Sequence, residues 1–190
     1  MATIVLLVVL AAIVLWVIGA YNGLIALKNQ VLNAWKQIDV QLKRRHDLIP
    51  NLVNTVKGAM EFERGTLEAV IAARNKAVGA TGVRQTAQAE GELTQALGRL
   101  FALTEAYPDL KANQNVLQLQ EELTSTENKV GFARQLYNDT ATQYNTRQTT
   151  FPTLLVAGLA KATPAELWEI EDAAERAVPN VDLSFGKPAT

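Results

Sequence analysis

The sequence predicts an all-α protein: an N-terminal transmembrane helix followed by an antiparallel up-and-down four-helix bundle. Three observations carry this reading. No charged side chain occurs in the first 27 residues. Beyond them, apolar residues recur at alternating steps of three and four, the period of a helix that buries one face. The breaks in that pattern leave four long segments, and an even number of antiparallel passes returns a chain to the end at which it started.

The first element is ATIVLLVVLAAIVLWVIGA, from Ala2 to Ala20. At 1.5 Å per residue, about 19 residues match a hydrocarbon core of roughly 30 Å. A cleaved secretory signal is the competing reading. It fits less well, because no Lys or Arg opens the segment, the apolar run exceeds about 7 to 15 residues, and Ile18 stands where a small residue is preferred before a cut. Trp16 and Tyr21 are assigned to the lipid–water interface at the exit of the span. No Lys or Arg precedes the span whereas Lys28 and Lys36 follow it, so the positive-inside rule favours a cytoplasmic bundle and leaves a periplasmic one as the alternative.

The rest of the chain suffices for one domain, and 48% hydrophobic residues allow a substantial core. The expected organisation is an anchor at 1–23 continuous with the first helix, a bundle at 24–150, and a tail at 151–190 with a short amphipathic helix. A net charge of -1 supplies no field for nucleic acid. The absence of Cys excludes disulfides, thiol nucleophiles and cysteine metal sites.

The first bundle helix carries Leu24, Leu27, Val31, Trp35, Ile38 and Leu42. The same phase continues through Ile49, Val53, Val56, Met60, Leu67, Ile71 and Val78, with Arg74 inside it. Leu93, Leu97, Leu100, Thr104 and Tyr107 form the third series. Val116, Leu119, Leu123, Thr126, Val130, Ala133, Tyr137, Thr140 and Tyr144 form the longest. GATGV at 79–83 and Tyr107-Pro108-Asp109 mark turns.

The segment LKRRHDLIPNLV at 42–53 admits two readings. Lys43, Arg44, Arg45 and His46 suit the negative end of a helix dipole, Asp47 is a good N-cap, and Pro50 is tolerated in a first turn. A turn near His46 is therefore favoured, giving helices at 22–45, 48–78, 84–106 and 113–147. The alternative is one continuous helix kinked at Pro50, at a cost of about 3 kcal/mol to be offset by packing.

In the tail, FPTLLVAGLA at 151–160 is too short to span a bilayer. It is followed by a helical pattern in TPAELWEIEDAAERAV, with Thr163 as N-cap and Pro164 at the first helical position. The tail is expected to lie on the bilayer, with Phe151 and Trp168 at the interface, or else to pack against the membrane-proximal end of the bundle.

Candidate chemistry is sparse. A lone His46 beside Asp47, flanked by arginines, is a poor cation site, so no metal and no cofactor is expected and His46 reads as a cap at a helix junction. Two serines and one histidine give no nucleophile with a base, and the acidic pairs Glu121–Glu122 and Glu169–Glu171 read as solvated faces. Lys43, Arg44 and Arg45 are the candidate partner-binding residues, at what would be the far tip of the bundle about 36 Å from the membrane. Solvation of that tip is the plainer reading. Arg74 is expected to reach a carboxylate or to snorkel outward. The Tyr-Asn pairs at 21–22, 137–138 and 144–145 predict a clasp, with the last pair returning beside the first.

AWKQIDVQLKRRHDLIPNLVNTVKG at 34–58, LEAVIAAR at 67–74, EAYPDLKANQNVLQLQEEL at 105–123 and ENKVGFARQLYNDTATQYNT at 127–146 closely resemble the LemA family of bacterial membrane proteins, as do FP at 151–152 and VPNVDLSF at 178–185. The resemblance implies one transmembrane helix in the bacterial cytoplasmic (inner) membrane, a soluble four-helix bundle, and no established enzymatic activity. The expected function is a membrane-anchored interaction or scaffold module without catalysis, whose partners are the lipid bilayer, an unidentified protein and further copies of itself. An oligomeric protein that organises or remodels membrane is the alternative.

Overall fold

One helix, α1 (Ala2–Val56), carries both the apolar N-terminal stretch and the whole first series of core residues. It is followed by α2 (Arg64–Gly79), α3 (Val83–Thr104), the single turn α4 (Pro108–Lys111), α5 (Gln114–Thr149) and the short α6 (Leu154–Ala157). The computed structural model describes residues 1–58, 60 and 63–169, and among these no strand occurs. The architecture is all-helical, with one long apolar helix at its N-terminal end.

The expected turn near His46 is absent. At 55 residues, α1 is about 82 Å long at 1.5 Å per residue, and the chain leaves helical geometry only after Val56. The uninterrupted apolar phase decides the outcome, because Leu42, Ile49, Leu52, Val53 and Val56 are all buried on one side of α1 and a turn at His46 would have split them. Pro50 lies inside the helix and lacks the N–H that the His46 carbonyl, four residues back, would accept. Arg74 of α2 supplies the missing donor: its Nε donates to the His46 carbonyl oxygen at 3.2 Å. This contact also explains why an arginine interrupts the apolar series of α2.

A defined result follows for the pair. Replacing Arg74 with alanine should cost about 1.5 to 3 kcal/mol, the range for a hydrogen bond from a charged donor. In the Pro50→Ala background the restored N–H serves the same carbonyl and the loss should shrink by about 1 kcal/mol. Thermal unfolding of the four proteins in detergent gives the coupling, and strictly additive effects would remove this account of Arg74.

The break after α1 resets the helical phase. Met60 is buried, but α2 then turns Leu67, Val70 and Ala77 inward and leaves Ile71 and Val78 exposed, although the series read from the sequence included them. At the next connection Gly82 takes φ +78°, a conformation that costs other residues about 1 kcal/mol or more. Asn113 caps α5, its side-chain oxygen accepting from the backbone N–H of Asn115 at 2.9 Å and of Val116 at 3.4 Å.

Two cores result. The far core joins α1 beyond Ile49, α2, α3, Leu110 of α4 and the start of α5. The near core, closer to the apolar stretch, joins Leu24 to Leu42 of α1 with Val130 to Tyr144 of α5. Trp35 meets Tyr137 and Arg45 meets Glu127, so α1 and α5 run antiparallel along their shared length. The hairpin of α2 and α3 reaches only as far as Val83 and Ala87 against the near core. Two helices alone cannot enclose a core, and the C-terminal segment supplies the missing layer.

That segment is not the predicted helix. Residues 162–169 are non-helical and lie along α5, and the remainder of the predicted helix falls outside the described residues. Thr163 accordingly caps nothing, and Trp168 is 4% exposed inside the near core, so it does not sit at a lipid interface. Phe151, by contrast, is 74% exposed, beside the cis Phe151–Pro152 peptide bond that precedes α6.

Candidate functional site

Two constellations tie the helices together. The first lies between the two cores, where α1, α3 and α5 meet. Arg45 is 3% exposed, and its Nη1 donates to Glu90 Oε2 at 2.9 Å while its Nη2 donates to Thr94 Oγ1 at 2.8 Å. His46 Nε2 lies 2.6 Å from the other oxygen, Glu90 Oε1, so the ring N–H donates to the carboxylate. Glu127 Oε2 is 2.8 Å from Arg45 Nη1, an ion pair without hydrogen-bond alignment, from a side chain still 35% accessible. Buried charge is tolerated here because nearly every donor and acceptor is matched.

This arrangement corrects two expectations. Arg45 belongs to the interior and is no partner-binding cation, whereas Lys43 and Arg44 remain exposed, Lys43 paired with Asp47 at 3.2 Å. His46 sits within an unbroken helix and caps no junction. The basic run also lies well short of the far tip, since α1 continues for 11 residues beyond Arg45, about 16 Å. Chemically the cluster is a lock: both Glu90 oxygens are engaged, His46 is buried, and the Arg45 guanidinium occupies the ground on which a cation would have to sit. Sequence reading passed over Glu90. The signal was available, because Glu90 falls in helical phase with Leu93 and Leu97, as Arg45 does with Leu42 and Ile49.

The second constellation is built on the Tyr-Asn repeat of α5. Asn138 Nδ2 donates to the Trp168 carbonyl at 3.0 Å while Asn138 Oδ1 accepts from the Trp168 N–H at 2.8 Å. One repeat later, Asn145 makes the same two bonds with Ala165, each at 2.8 Å. Seven residues of helix advance about 10.5 Å and three extended residues about 10 Å, so the two periods coincide. Each carboxamide thus replaces the backbone partner that an extended segment lacks outside a sheet. The expected clasp exists, but it holds 165–168 rather than Tyr21 and Asn22. Trp168 completes it, its ring 6.0 Å from Trp35 and under the Arg134 guanidinium at 5.7 Å.

Tyr137 adds a pH-sensitive bond, its hydroxyl donating to the Glu166 carbonyl oxygen at 2.6 Å. Burial first, and the nearby Glu166 charge second, push this hydroxyl above its ordinary value. A raised value means the folded state favours the neutral phenol. The associated stability is therefore complete below about pH 10, the unfolded value, and is lost as pH rises through the higher folded one. Protease susceptibility of 162–169 should rise in that alkaline window, and Tyr137→Phe should remove the pH-dependent part while raising susceptibility at neutral pH. An identical alkaline profile in the variant would assign the effect elsewhere.

These contacts can be set against known proteins. The chain is similar to a protein from Metamycoplasma hominis, Protein LemA, at 30% identity over 142 residues, which cover 74% of this chain and 64% of that relative. It therefore spans somewhat less than two thirds of that relative's length. The model of the LemA family matches residues 34–183, a range that contains Trp35, the Arg45–His46–Glu90 lock and both clasping asparagines. With the match extending over most of the sequence and both constellations inside it, the chain belongs to the LemA family.

Proposed function

We propose that this protein is a single-pass, membrane-tethered helical module that presents a docking surface at a fixed height above the bilayer and performs no catalysis. The tether is the stretch before Tyr21, which includes an 18-residue window of mean hydropathy 3.0 with no residue buried. Trp16 and Tyr21 then mark the interface and the cytoplasmic membrane is the compartment, with the bundle on the cytoplasmic side. The antiparallel pairings of α1 with α5 and of α2 with α3 support an up-and-down four-helix arrangement.

The observation that carries the interaction reading is an apolar row on the open side of the near core. Val40 is 63% and Phe132 73% exposed, and Leu136, one helical turn on from Phe132 along α5, is exposed as well. Lys36 and Lys129 flank Val40 and Phe132 in a shallow groove. Large side chains left outside in contiguous order mark contact surfaces more often than chance, and the two lysines suit a partner, or another copy, with acidic residues. A photo-crosslinker at Val40 or Phe132 should give a discrete adduct in native membranes that Phe132→Glu, or respectively Val40→Glu, abolishes without lowering the melting temperature. No adduct at either position would overturn the interaction reading. Charge reversal at Lys43 and Arg44 tests the basic run in the same assay, with Arg45 left intact because it is structural.

A membrane-organising protein is the second reading, favoured by the exposed apolar side chains of α6. Vesicle tubulation by the purified protein is expected only from this second reading.

A further inference from the structure

The α6 region buries its small side and exposes its large one. Thr153, Val156 and Ala160 are 3%, 2% and 7% exposed against the protein, whereas Phe151, Leu154, Leu155 and Leu159 are 74%, 52%, 66% and 71% exposed. Full burial of one such side chain is worth about 1.5 to 3 kcal/mol, so the fold leaves unused four of the largest apolar groups at this end. Their position gives the reason. Ala160 shares the near core with Leu24, which is one helical turn beyond Ala20, where the apolar span ends. The half-buried positions of the span, Val17 and Ala20, lie on the same side of α1 as Leu24.

The charges at this level have one sign. No Asp or Glu occurs in residues 1–30 or 140–165, while Lys28, Arg147 and Lys161 do, and all three are exposed. Cations around an apolar row at the height where a span leaves the bilayer match an anionic headgroup layer over an acyl boundary. We propose that α6 and its flanks form a second, peripheral contact with the lipid leaflet from which α1 emerges: Phe151, Leu154, Leu155 and Leu159 enter the interface, and Arg147, Lys161 and Lys28 meet anionic headgroups. This contact rests on the tether reading and adds to it a second point of attachment, which stops the long α1 from swivelling about its exit.

The test uses the full chain, which has no native cysteine. Single labels at Val9→Cys, Leu155→Cys and Lys43→Cys carry an environment-sensitive fluorophore in vesicles of phosphatidylcholine and phosphatidylglycerol containing lipid spin-labelled both in the headgroup region and deep along the acyl chain. Quenching several-fold stronger at Leu155 and Val9 than at Lys43, with the Leu155 signal alone weakening when phosphatidylglycerol is omitted, is the expected result. Quenching at Val9 with Leu155 no stronger than Lys43 overturns the second contact and leaves the tether standing. A blue-shifted but unquenched Leu155 label overturns it too, because protein then covers the row. Absence of quenching at Val9 and Leu155 together overturns the tether and the contact at once.

Discussion

Glu90→Ala is expected to destabilise the protein by about 3 to 5 kcal/mol, because removal of one partner leaves buried charge without compensation. The substitution strips Arg45 of one of its two carboxylates and His46 of its hydrogen-bond acceptor, where α1 meets α3. For a domain of this size, that loss corresponds to a fall in melting temperature of roughly 10 °C. Glu90→Gln retains acceptor capacity without the charge and should lose less. Replacing Arg45, His46 and Glu90 together by Met, Leu and Met should restore most of the stability, since a buried ionic set exchanged for apolar groups of similar volume is often neutral, and Glu127 is accessible enough to turn to water. Thermal melts of the four proteins decide the matter. A triple variant as unstable as Glu90→Ala would mean that the cluster does more than bridge helices.

Trp168→Ala is expected to release the C-terminal segment. Truncating a buried tryptophan costs about 3 to 5 kcal/mol, here through loss of the Trp35 and Arg134 contacts. Because residues 162–169 are held from one side, the loss should appear first as local opening rather than global unfolding. Limited proteolysis should cut there, and amide exchange should quicken at the Ala165 and Trp168 N–H groups, which Asn145 and Asn138 protect. Trp168→Phe should preserve most of the protection. Unchanged cleavage in Trp168→Ala would show that the asparagine bonds alone hold the segment and that the aromatic contacts add little.

Much of this was legible in the chain. The spacing of Val116, Leu123, Val130, Tyr137 and Tyr144 identified α5 and its buried face without ambiguity, because a long helix repeats its signal many times. The 79–83 and 107–109 turns were equally plain, since glycine and proline act locally. Pro50 misled, because its cost is offset by Arg74, a residue 24 positions away whose role exists only once α2 has folded back. The residues around His46 carry end-of-helix chemistry, yet that preference amounts to about 1 kcal/mol and burial of Ile49, Leu52, Val53 and Val56 outweighs it. The site suffered in the same way. Lys43, Arg44 and Arg45 read as one basic block, but helical geometry sends Arg45 inward and its neighbours outward. The segment around Trp168 has a helical pattern and a good cap, and it is nevertheless extended because two side-chain amides, spaced seven residues apart on α5, serve its backbone.

The central claim is that one unbroken helix carries the protein from the apolar stretch past Pro50, so that the surface on α1 and α5 stands at a fixed height. Spin labels at Asn22→Cys and Asn51→Cys, both exposed, measure it directly in the reconstituted full-length protein. Twenty-nine residues of continuous helix predict a narrow distribution of distances near about 44 Å. A chain that turned back at His46 would place the labels about 30 Å apart, and a distribution centred there would contradict the account.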